Sequence, residues 1–413
     1  MRILVQKFGG TSLADGPGRA AVVGHVRAAR EEGYAPVVVV SAMGRRGDPY
    51  ATDTLLDLVS DTPDLPLREL DLLVSCGEVI AAVVLAGLLR SEGIPASVLT
   101  GAQAGIMTDG QHGRATVLAV RPEAVRALLE EGQVPVVTGF QGATADGEIT
   151  TLGRGGSDAA AAVLGVALGC ELIEIYTDVD GIKTADPSIV PEAATLRNVT
   201  YGEAVELAHL GAKVIHPRAV QVAMASRVPI RVRRNGSGSP GTLISSAVSE
   251  GPGAVLYPDR TVTGIACVRN QTYVKVEAGK TDEGLLDLFD RLGSAGISVD
   301  MIHINGERVA FTVAGDQGRQ TERILNMLEL RYALETGCAK VSAVGAGMHG
   351  VPGVVSRVLR ALSSAGVEVL ATSDSHANIS CLVREGDVQP AVSALHKEFC
   401  LAEQQREAVP FKE

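Results

Sequence analysis

Val5-Gln6-Lys7-Phe8-Gly9-Gly10-Thr11-Ser12 sets a lone Lys and a Gly pair where an apolar strand gives way to a polar loop. Glycines let backbone N–H groups approach an anion closely, Lys adds a mobile positive charge, and Thr11 and Ser12 can donate further hydrogen bonds or cap the next helix. This is a phosphate site in outline, although a strand ending in Gly-Gly is by itself more often an ordinary turn. What raises it above a turn stands downstream, at Ser75–Glu78, Thr150–Asp158 and Tyr176–Pro187.

Outward from that strand, residues 1 to about 235 alternate strand-like and helix-like segments. Pro36–Ser41, Pro135–Thr138 and Leu172–Thr177 are buried apolar runs; Gly18–Glu32, Glu69–Leu89, Pro122–Glu131 and Ser157–Leu168 carry helical periodicity. Such alternation predicts an α/β sheet covered on both faces. Asn235-Gly236-Ser237-Gly238-Ser239-Pro240-Gly241 then breaks the pattern and reads as a domain edge.

Beyond that edge lies an internal repeat. Leu285–Val299 and Val355–Val369 align at an offset of 70 residues, with Ser294-Ala295-Gly296 matching Ser364-Ala365-Gly366. Each copy has a strand before its helix, two strands after it and a second helix (Gln317–Leu330; Val388–Phe399), which predicts a βαββαβ unit apiece and suggests a sensor. Two patterns here are decoys. Gly345-Ala346-Gly347-Met348-His349-Gly350 satisfies G-x-G-x-x-G, with Glu368 near the distance of a ribose-binding acid, yet its flanks belong to the repeat and Pro352 sits at the helix start. Gly279-Lys280-Thr281 resembles the end of a P-loop, but Val274 stands where the first Gly is needed.

The N-terminal constellation is complementary. Thr150-Thr151-Leu152-Gly153-Arg154-Gly155-Gly156-Ser157-Asp158 places a guanidinium, a Gly-rich turn and cap-like Ser and Asp at the mouth of an Ala-rich helix, where N–H groups and the dipole favour anions. The planar fork of Arg suits a carboxylate. Glu78 is a carboxylate in an apolar helical stretch, and Glu is almost never buried without a partner; a helix-start acid is the plainer alternative. Tyr176–Pro187 follows a buried strand with turn-formers and lacks the spacing of a calcium loop. Lys213 offers a second cation or is a solvated helix Lys.

Composition bounds the function. At 413 residues the chain should hold two or three domains, and 46% hydrophobic against 21% charged residues can fill real cores. A net charge of −11 argues against nucleic acid or an anionic membrane as partner, so any anionic substrate must be held by a local cluster of cations and backbone N–H groups. The N-terminus enters a strand directly, without the pattern of a signal peptide, and the apolar stretch Val79–Leu89 is too short to cross a bilayer. Six cysteines without C-x-x-C spacing read as reduced cytosolic thiols, and the eight histidines form no H-E-x-x-H pattern, so no transition-metal site is expected.

Together, K-F-G-G-T-S (Lys7–Ser12), S-x-G-E (Ser75–Glu78), T-T-L-G-R-G-G-S-D (Thr150–Asp158) and Y-T-D-V-D-G (Tyr176–Gly181) resemble, in order, the aspartate kinases of the amino acid kinase superfamily, and the C-terminal repeats resemble paired ACT domains. The resemblance implies a three-layer amino acid kinase fold plus tandem α+β ACT domains: a catalytic domain over 1–235, a linker over 236–262, ACT domains over 263–337 and 338–402, and a tail over 403–413. It implies transfer of the ATP γ-phosphoryl group to the β-carboxylate of L-aspartate, opening the route to lysine through diaminopimelate, threonine and methionine.

By the same resemblance Lys7 stabilises the transferring group, with Phe8, Gly9 and Gly10 around the phosphates. Asp158 orients Lys7 or the substrate. Arg154 grips the α-carboxylate and Glu78 the α-ammonium, and Ser41, Thr52, Gly139, Phe140 and Ser157 complete the aspartate site. ATP lies over Thr177, Asp178, Gly181, Thr184 and Asp186, with Lys213 near its phosphates and Mg²⁺ bound as the Mg-ATP complex. Asp282, Asp300, Asp374 and Ser375 are implied for an effector, whether diaminopimelate, lysine or threonine; each acid is equally readable as an exposed loop carboxylate. A cytoplasmic homodimer or larger assembly through the ACT domains is implied, and an internally started regulatory subunit occurs in the family. The R-G-D-P-Y-A-T-D form of residues 46–53 resembles the diaminopimelate-responsive branch of spore-forming bacteria. Two rival classes remain: a silent amino-acid sensor, opposed by the intact Lys7, Glu78, Arg154 and Asp158 set, and an oxidoreductase built on Gly345–Gly350.

Overall fold

The computed structural model describes residues 1–212, 214–246, 261–277, 282–306, 308–348 and 351–402, the side chains of 282 and 283 excepted. Two compact units result: one comprises Met1–Ile182, Thr195–Ala208 and Lys213–Leu256, the other Lys183–Ala194, His209–Ala212 and Tyr257–Glu413.

The first unit runs β1 (Arg2–Phe8), α1 (Gly10–Leu13), α2 (Gly16–Glu31), β2 (Tyr34–Val40), α3 (Thr52–Asp57), α4 (Leu67–Ser91), β3 (Ala96–Leu99), β4 (Ile106–Thr108), β5 (Val117–Val120), α5 (Glu123–Glu130), β6 (Val134–Thr138), β7 (Gln141–Ala143), β8 (Ile149–Thr151), α6 (Gly156–Leu168), β9 (Leu172–Thr177), β10 (Asn198–Thr200), α7 (Tyr201–His209), α8 (Pro217–Ser226), β11 (Ile230–Arg234) and β12 (Thr242–Ser245). Eight strands form one sheet in the order β10-β12-β11-β9-β1-β2-β6-β3, and β5-β4-β7-β8 form a second. The centre is parallel: Phe8 pairs with Val40 and with Tyr176, and Val40 with Thr138. Four carboxyl ends therefore finish side by side, and in an open α/β sheet ligands bind outside such ends.

Core packing explains the helices. Ala159–Ala162 of α6 are at most 3% exposed, and their small side chains let the helix lie close to the sheet. Among the described residues α4 is the one helix long and apolar enough to cross a bilayer, but half of its most apolar window is buried, and it turns Val74, Ala81, Ala82, Leu85 and Leu89 inward together with Asp71 and Glu78. That is how a core helix of an α/β fold is built.

The break at 235–241 is a hairpin inside the first unit, not a domain edge. After it β12 returns antiparallel to β11, with Ile230 opposite Ile244. Gly241 has φ +74, and a Cβ there would stand 2.1 Å from the Val232 carbonyl oxygen, so only glycine allows the return. Thr242 Oγ1 then accepts from the Ile182 amide at 2.9 Å and donates to the Leu196 carbonyl at 2.6 Å.

The second unit runs β13 (Gly264–Glu277), α9 (Asp282–Ser294), β14 (Asp300–Asn305), β15 (Arg308–Ala314), α10 (Gly318–Met327), β16 (Arg331–Val344), α11 (Val354–Ser364), β17 (Ala371–Asp374), β18 (Asn378–Arg384) and α12 (Val388–Glu398). The repeats do not form two consecutive βαββαβ units. They share one six-stranded sheet, β14-β15-β13-β16-β18-β17, through two 14-residue strands. The second half of β13 packs Val274 and Val276 on Leu288 and Leu292 of the first repeat. Its first half packs Ile265 with Val341, Val358 and Leu395 of the second. Because no strand follows α12 among the described residues, the second repeat takes its missing strand from residues before the first. Gly345 has a packing duty: a Cβ there would lie 2.3 Å from the Thr261 carbonyl oxygen. His349, Gly350 and the Gly279-Lys280-Thr281 stretch lie outside the described residues.

Candidate active site

A cavity of about 580 Å³ opens at the carboxyl ends of the parallel strands, lined among others by Lys7, Gly10, Ser41, Thr52, Glu78 and Phe140, and by residues 153–158. Lys7, the penultimate residue of β1, forms an ion pair with Asp158 of the first turn of α6 at 2.7 Å, each side chain 12% exposed. The other Asp158 oxygen accepts from the His216 amide at 3.2 Å, so the carboxylate is fixed from two sides.

Gly10 is required by close approach: a Cβ would lie 2.5 Å from the Ala42 carbonyl oxygen and 2.7 Å from that of Gly44. The Gly9 amide donates to the Tyr176 carbonyl at 3.2 Å and is not free for a phosphate. That bond rests on a buried support: Phe8 stacks on Tyr176 with centroids 4.6 Å apart, and Glu174 accepts from Tyr176 Oη at 2.8 Å, Gln6 Nε2 at 3.0 Å and Arg233 at 3.3 Å.

Glu78 forms the opposite pole. It is 2% exposed; its Oε1 accepts from the Ala42 amide at 3.0 Å, and its Oε2, although buried, has no partner among the described residues. Burial pushes its carboxyl up to about 8, against the pull of the Ala42 amide. Arg154 is exposed between Gly153 and Gly155, which hold φ +73 and +71, and it has no ion pair among the described residues. Phe140, another cavity residue, has φ +66, a conformation rare outside glycine and concentrated at functional sites. Gly139 lies just behind, where a Cβ would meet the Val40 carbonyl oxygen at 2.8 Å.

Asp71 escaped the sequence reading. At 2% exposure it accepts from His112 at 2.9 Å, from the Gly113 amide at 3.0 Å, and from the amide and hydroxyl of Thr151, clamping α4 to the strand that leads into the Arg154 turn. The available signal was its spacing: Asp71 and Glu78 are two carboxylates seven residues, hence two turns, apart on the buried side of one apolar helix.

The structure thus gathers Lys7, Gly10, Ser41, Thr52, Glu78, Phe140, Arg154, Ser157 and Asp158 around one cavity. It does not gather the whole expected nucleotide set. Thr177, Asp178 and Gly181 belong to the first unit, Thr184 and Asp186 to the second. Thr184 is 1% exposed; its hydroxyl accepts from the Ala194 amide at 3.0 Å and shares a 2.9 Å hydrogen bond with His396. Asp186 accepts from the Ser188 amide and hydroxyl at 2.8 and 2.7 Å. Lys213 and the Asp282 side chain lie outside the described residues. Of the expected effector residues, Asp300 is engaged by Lys340, Asp374 is exposed at the end of β17, and Ser375 accepts from the Ala377 and Asn378 amides, each at 3.2 Å.

Comparison with known proteins accords with this geometry. Residues 2–234 match the model of the amino acid kinase family, and residues 333–397 match an ACT domain. Aspartokinase 1 of Bacillus subtilis is 48% identical over 404 residues, covering 97% of this chain and all of that one. Escherichia coli aspartokinase III, solved with aspartate and ADP, superposes with a TM-score of 0.77 at 27% identity, covering 96% of this chain and 99% of that one. The same enzyme solved with lysine and aspartate gives 0.74 at 26%, with the same coverage.

Proposed function

The chain belongs to the amino acid kinase family and, within it, to the aspartokinases, and from that premise we propose how its residues divide the work. The enzyme transfers the γ-phosphoryl group of ATP to the β-carboxylate of L-aspartate, giving 4-phospho-L-aspartate and ADP. A β-carboxylate oxygen bonds to Pγ while the bond from Pγ to the β,γ-bridging oxygen breaks, and ADP leaves with the electron pair. Such a transfer asks the protein for positioning and for charge stabilisation.

The observation that carries the assignment of roles is the unpartnered, buried Oε2 of Glu78 in the cavity that Arg154 and the Lys7–Asp158 pair also line. An α-amino acid presents an ammonium and a carboxylate. Glu78 takes the first and Arg154 the second, through its planar fork. This leaves the β-carboxylate for the Lys7 end, where the ammonium offsets charge on the transferring group and Asp158 holds Lys7 in place. Ser41, Thr52, Phe140 and Ser157 shape the aspartate site, with Gly139 behind them. Thr177, Asp178 and Gly181 hold the nucleotide; Thr184, buried in the second unit, and Asp186, exposed after it, shape their end of the same loop, and Lys213 supplies a further cation.

Among the described residues no three His, Cys, Asp or Glu side chains gather as a metal cage. Mg²⁺ is assigned to the ATP phosphates because it prefers phosphate oxygens and water to an all-protein cage, and there it would supply charge neutralisation. For the second unit we propose an amino-acid effector, lysine, threonine or diaminopimelate, and assembly into a homodimer or larger species. All six cysteines are free thiols, which supports a reducing, cytoplasmic setting. ADP release with L-aspartate, L-glutamate and acetylglutamate as acceptors tests the substrate: turnover with L-aspartate well above the other two is expected, and preference for either of them overturns the assignment.

A further inference from the structure

The turn after β2 is tied to both substrates' sides of the cavity. The Gly44 amide donates to the Gly10 carbonyl at 2.9 Å, fixing the turn to the phosphate loop. The Arg45 amide donates to Asp48 Oδ2 at 2.7 Å, and the Gly47 amide to Thr54 Oγ1 at 3.0 Å, so the backbone that carries Arg45 is well defined. Arg45 and Arg46 both line the cavity with Lys7 and Arg154. Their side chains then diverge: Arg46 pairs with Asp57 of α3 at 2.8 Å, whereas Arg45 pairs with Asp178, the residue after β9, whose Oδ1 also accepts from Thr177 Oγ1 at 3.1 Å.

Arg45 is therefore anchored beside the phosphate loop and reaches the segment assigned to the nucleotide. Its partner is a poor final one. The two side chains are 69% and 48% exposed, and an exposed ion pair holds weakly. A γ-phosphoryl group offers a guanidinium more negative charge than a single carboxylate while presenting the same kind of bidentate acceptor edge. We propose that Arg45 is a phosphoryl ligand of the transfer reaction, released from Asp178 when the triphosphate enters and taking γ-phosphoryl oxygens together with Lys7. The proposal rests on the reading of Thr177–Gly181 as the nucleotide segment.

Calorimetric titration of the full chain with Mg-ADP and with the Mg complex of β,γ-imido-ATP tests it, for the unaltered protein, Arg45→Ala, Arg45→Lys and Thr177→Val. Arg45→Ala is expected to bind the triphosphate analogue about 10- to 100-fold more weakly while ADP stays within about threefold, with Arg45→Lys in between. Turnover at saturating ATP should fall in parallel, with the aspartate KM within about threefold. Equal loss for both nucleotides makes Arg45 a loop tie only and overturns the proposal, as does no loss at all. Thr177→Val separates the premise: if it binds ADP as the unaltered protein does, the nucleotide reading fails, while Arg45 still stands or falls on the ratio of triphosphate to diphosphate affinity.

Discussion

The two ends of the cavity hold their charges in opposite ways. At the transfer end Lys7 and Asp158 are already paired at 2.7 Å, both nearly buried. At the recognition end Glu78 is buried with one oxygen unpartnered, and Arg154 waits exposed between two left-handed glycines. A buried carboxylate without a counter-ion is costly and takes up a proton, and that is why Glu78 sits near 8. On the roles proposed above, the Lys7–Asp158 end is already paired, whereas the Glu78–Arg154 end would be completed by the substrate's own ammonium and carboxylate.

The largest effect should follow from breaking the paired end. Lys7→Met removes the cation proposed to meet charge developing in transfer, so kcat should fall about 10²- to 10³-fold with a much smaller change in ATP affinity. It also strands Asp158, so the single variant should lose stability. Adding Asp158→Asn should recover the melting temperature without recovering kcat. If the double variant regains activity, the pair is structural and the contrast between the ends disappears.

At the open end, Arg154→Lys keeps the charge and discards the fork. The aspartate KM should rise about 10- to 100-fold while the ATP KM stays within about twofold. Steady-state kinetics with each substrate varied in turn decides this, and near-normal aspartate kinetics would remove Arg154 from the substrate.

Glu78 gives the open end a pH signature. If Glu78 takes the aspartate ammonium as proposed, binding needs its ionised carboxylate; with a value of about 8 that form grows roughly tenfold between pH 7 and 9, so kcat/KM for aspartate should climb by about that factor. Stability runs the other way. A carboxyl raised in the folded state favours folding below its unfolded value near 4.5, and that contribution is lost as pH rises through about 8. Glu78→Gln should flatten both profiles and raise the aspartate KM. A flat kcat/KM profile in the unaltered enzyme would show that Glu78 is ionised before aspartate binds.

Much of this arrangement is legible in the sequence because it follows from local pattern. Alternating strands and helices give a parallel sheet, whose aligned carboxyl ends bring Gly10, Ser41 and Phe140 to one place although they are far apart in the chain, while Arg154 reaches the same cavity from the turn after β8 of the second sheet. Other features depend on long-range pairing with no local signature. A Gly- and Ser-rich stretch marks a turn but does not say whether the chain leaves the sheet or doubles back, and at 235–241 it doubles back. The repeat was visible, yet nothing in its spacing shows that residues 264–268 belong with β16 and the second repeat. Thr184 reads as loop beside a nucleotide segment, but Ala185, Ile189 and Val190 after it are apolar enough to enter the second unit's core and take Thr184 along.

The smallest effect on catalysis, and the last test of the contrast, lies in the second unit, where it recurs between two expected effector residues. Asp300 is closed by Lys340, whose side chain is 12% exposed; Asp374 stands exposed at the end of β17 with no ion pair among the described residues. If an open carboxylate marks a site completed by a ligand's ammonium, Asp374 holds the effector and Asp300 holds the sheet. Inhibition needs differential affinity for two states of the enzyme, with coupling typically worth 5- to 150-fold. Asp374→Ala should therefore raise the half-inhibitory effector concentration about tenfold or more while uninhibited kcat stays within about twofold. Ser375→Ala, which removes the hydroxyl that accepts from Ala377 and Asn378, should act in the same direction. Asp300→Asn should lower the melting temperature and leave effector sensitivity within about threefold. Activity against lysine, threonine and diaminopimelate for each variant makes the measurement. If the unaltered enzyme answers to none of the three, the effector assignment falls for both acids; if Asp300→Asn abolishes inhibition while Asp374→Ala keeps it, a closed ion pair and not an open acid is what reads the effector.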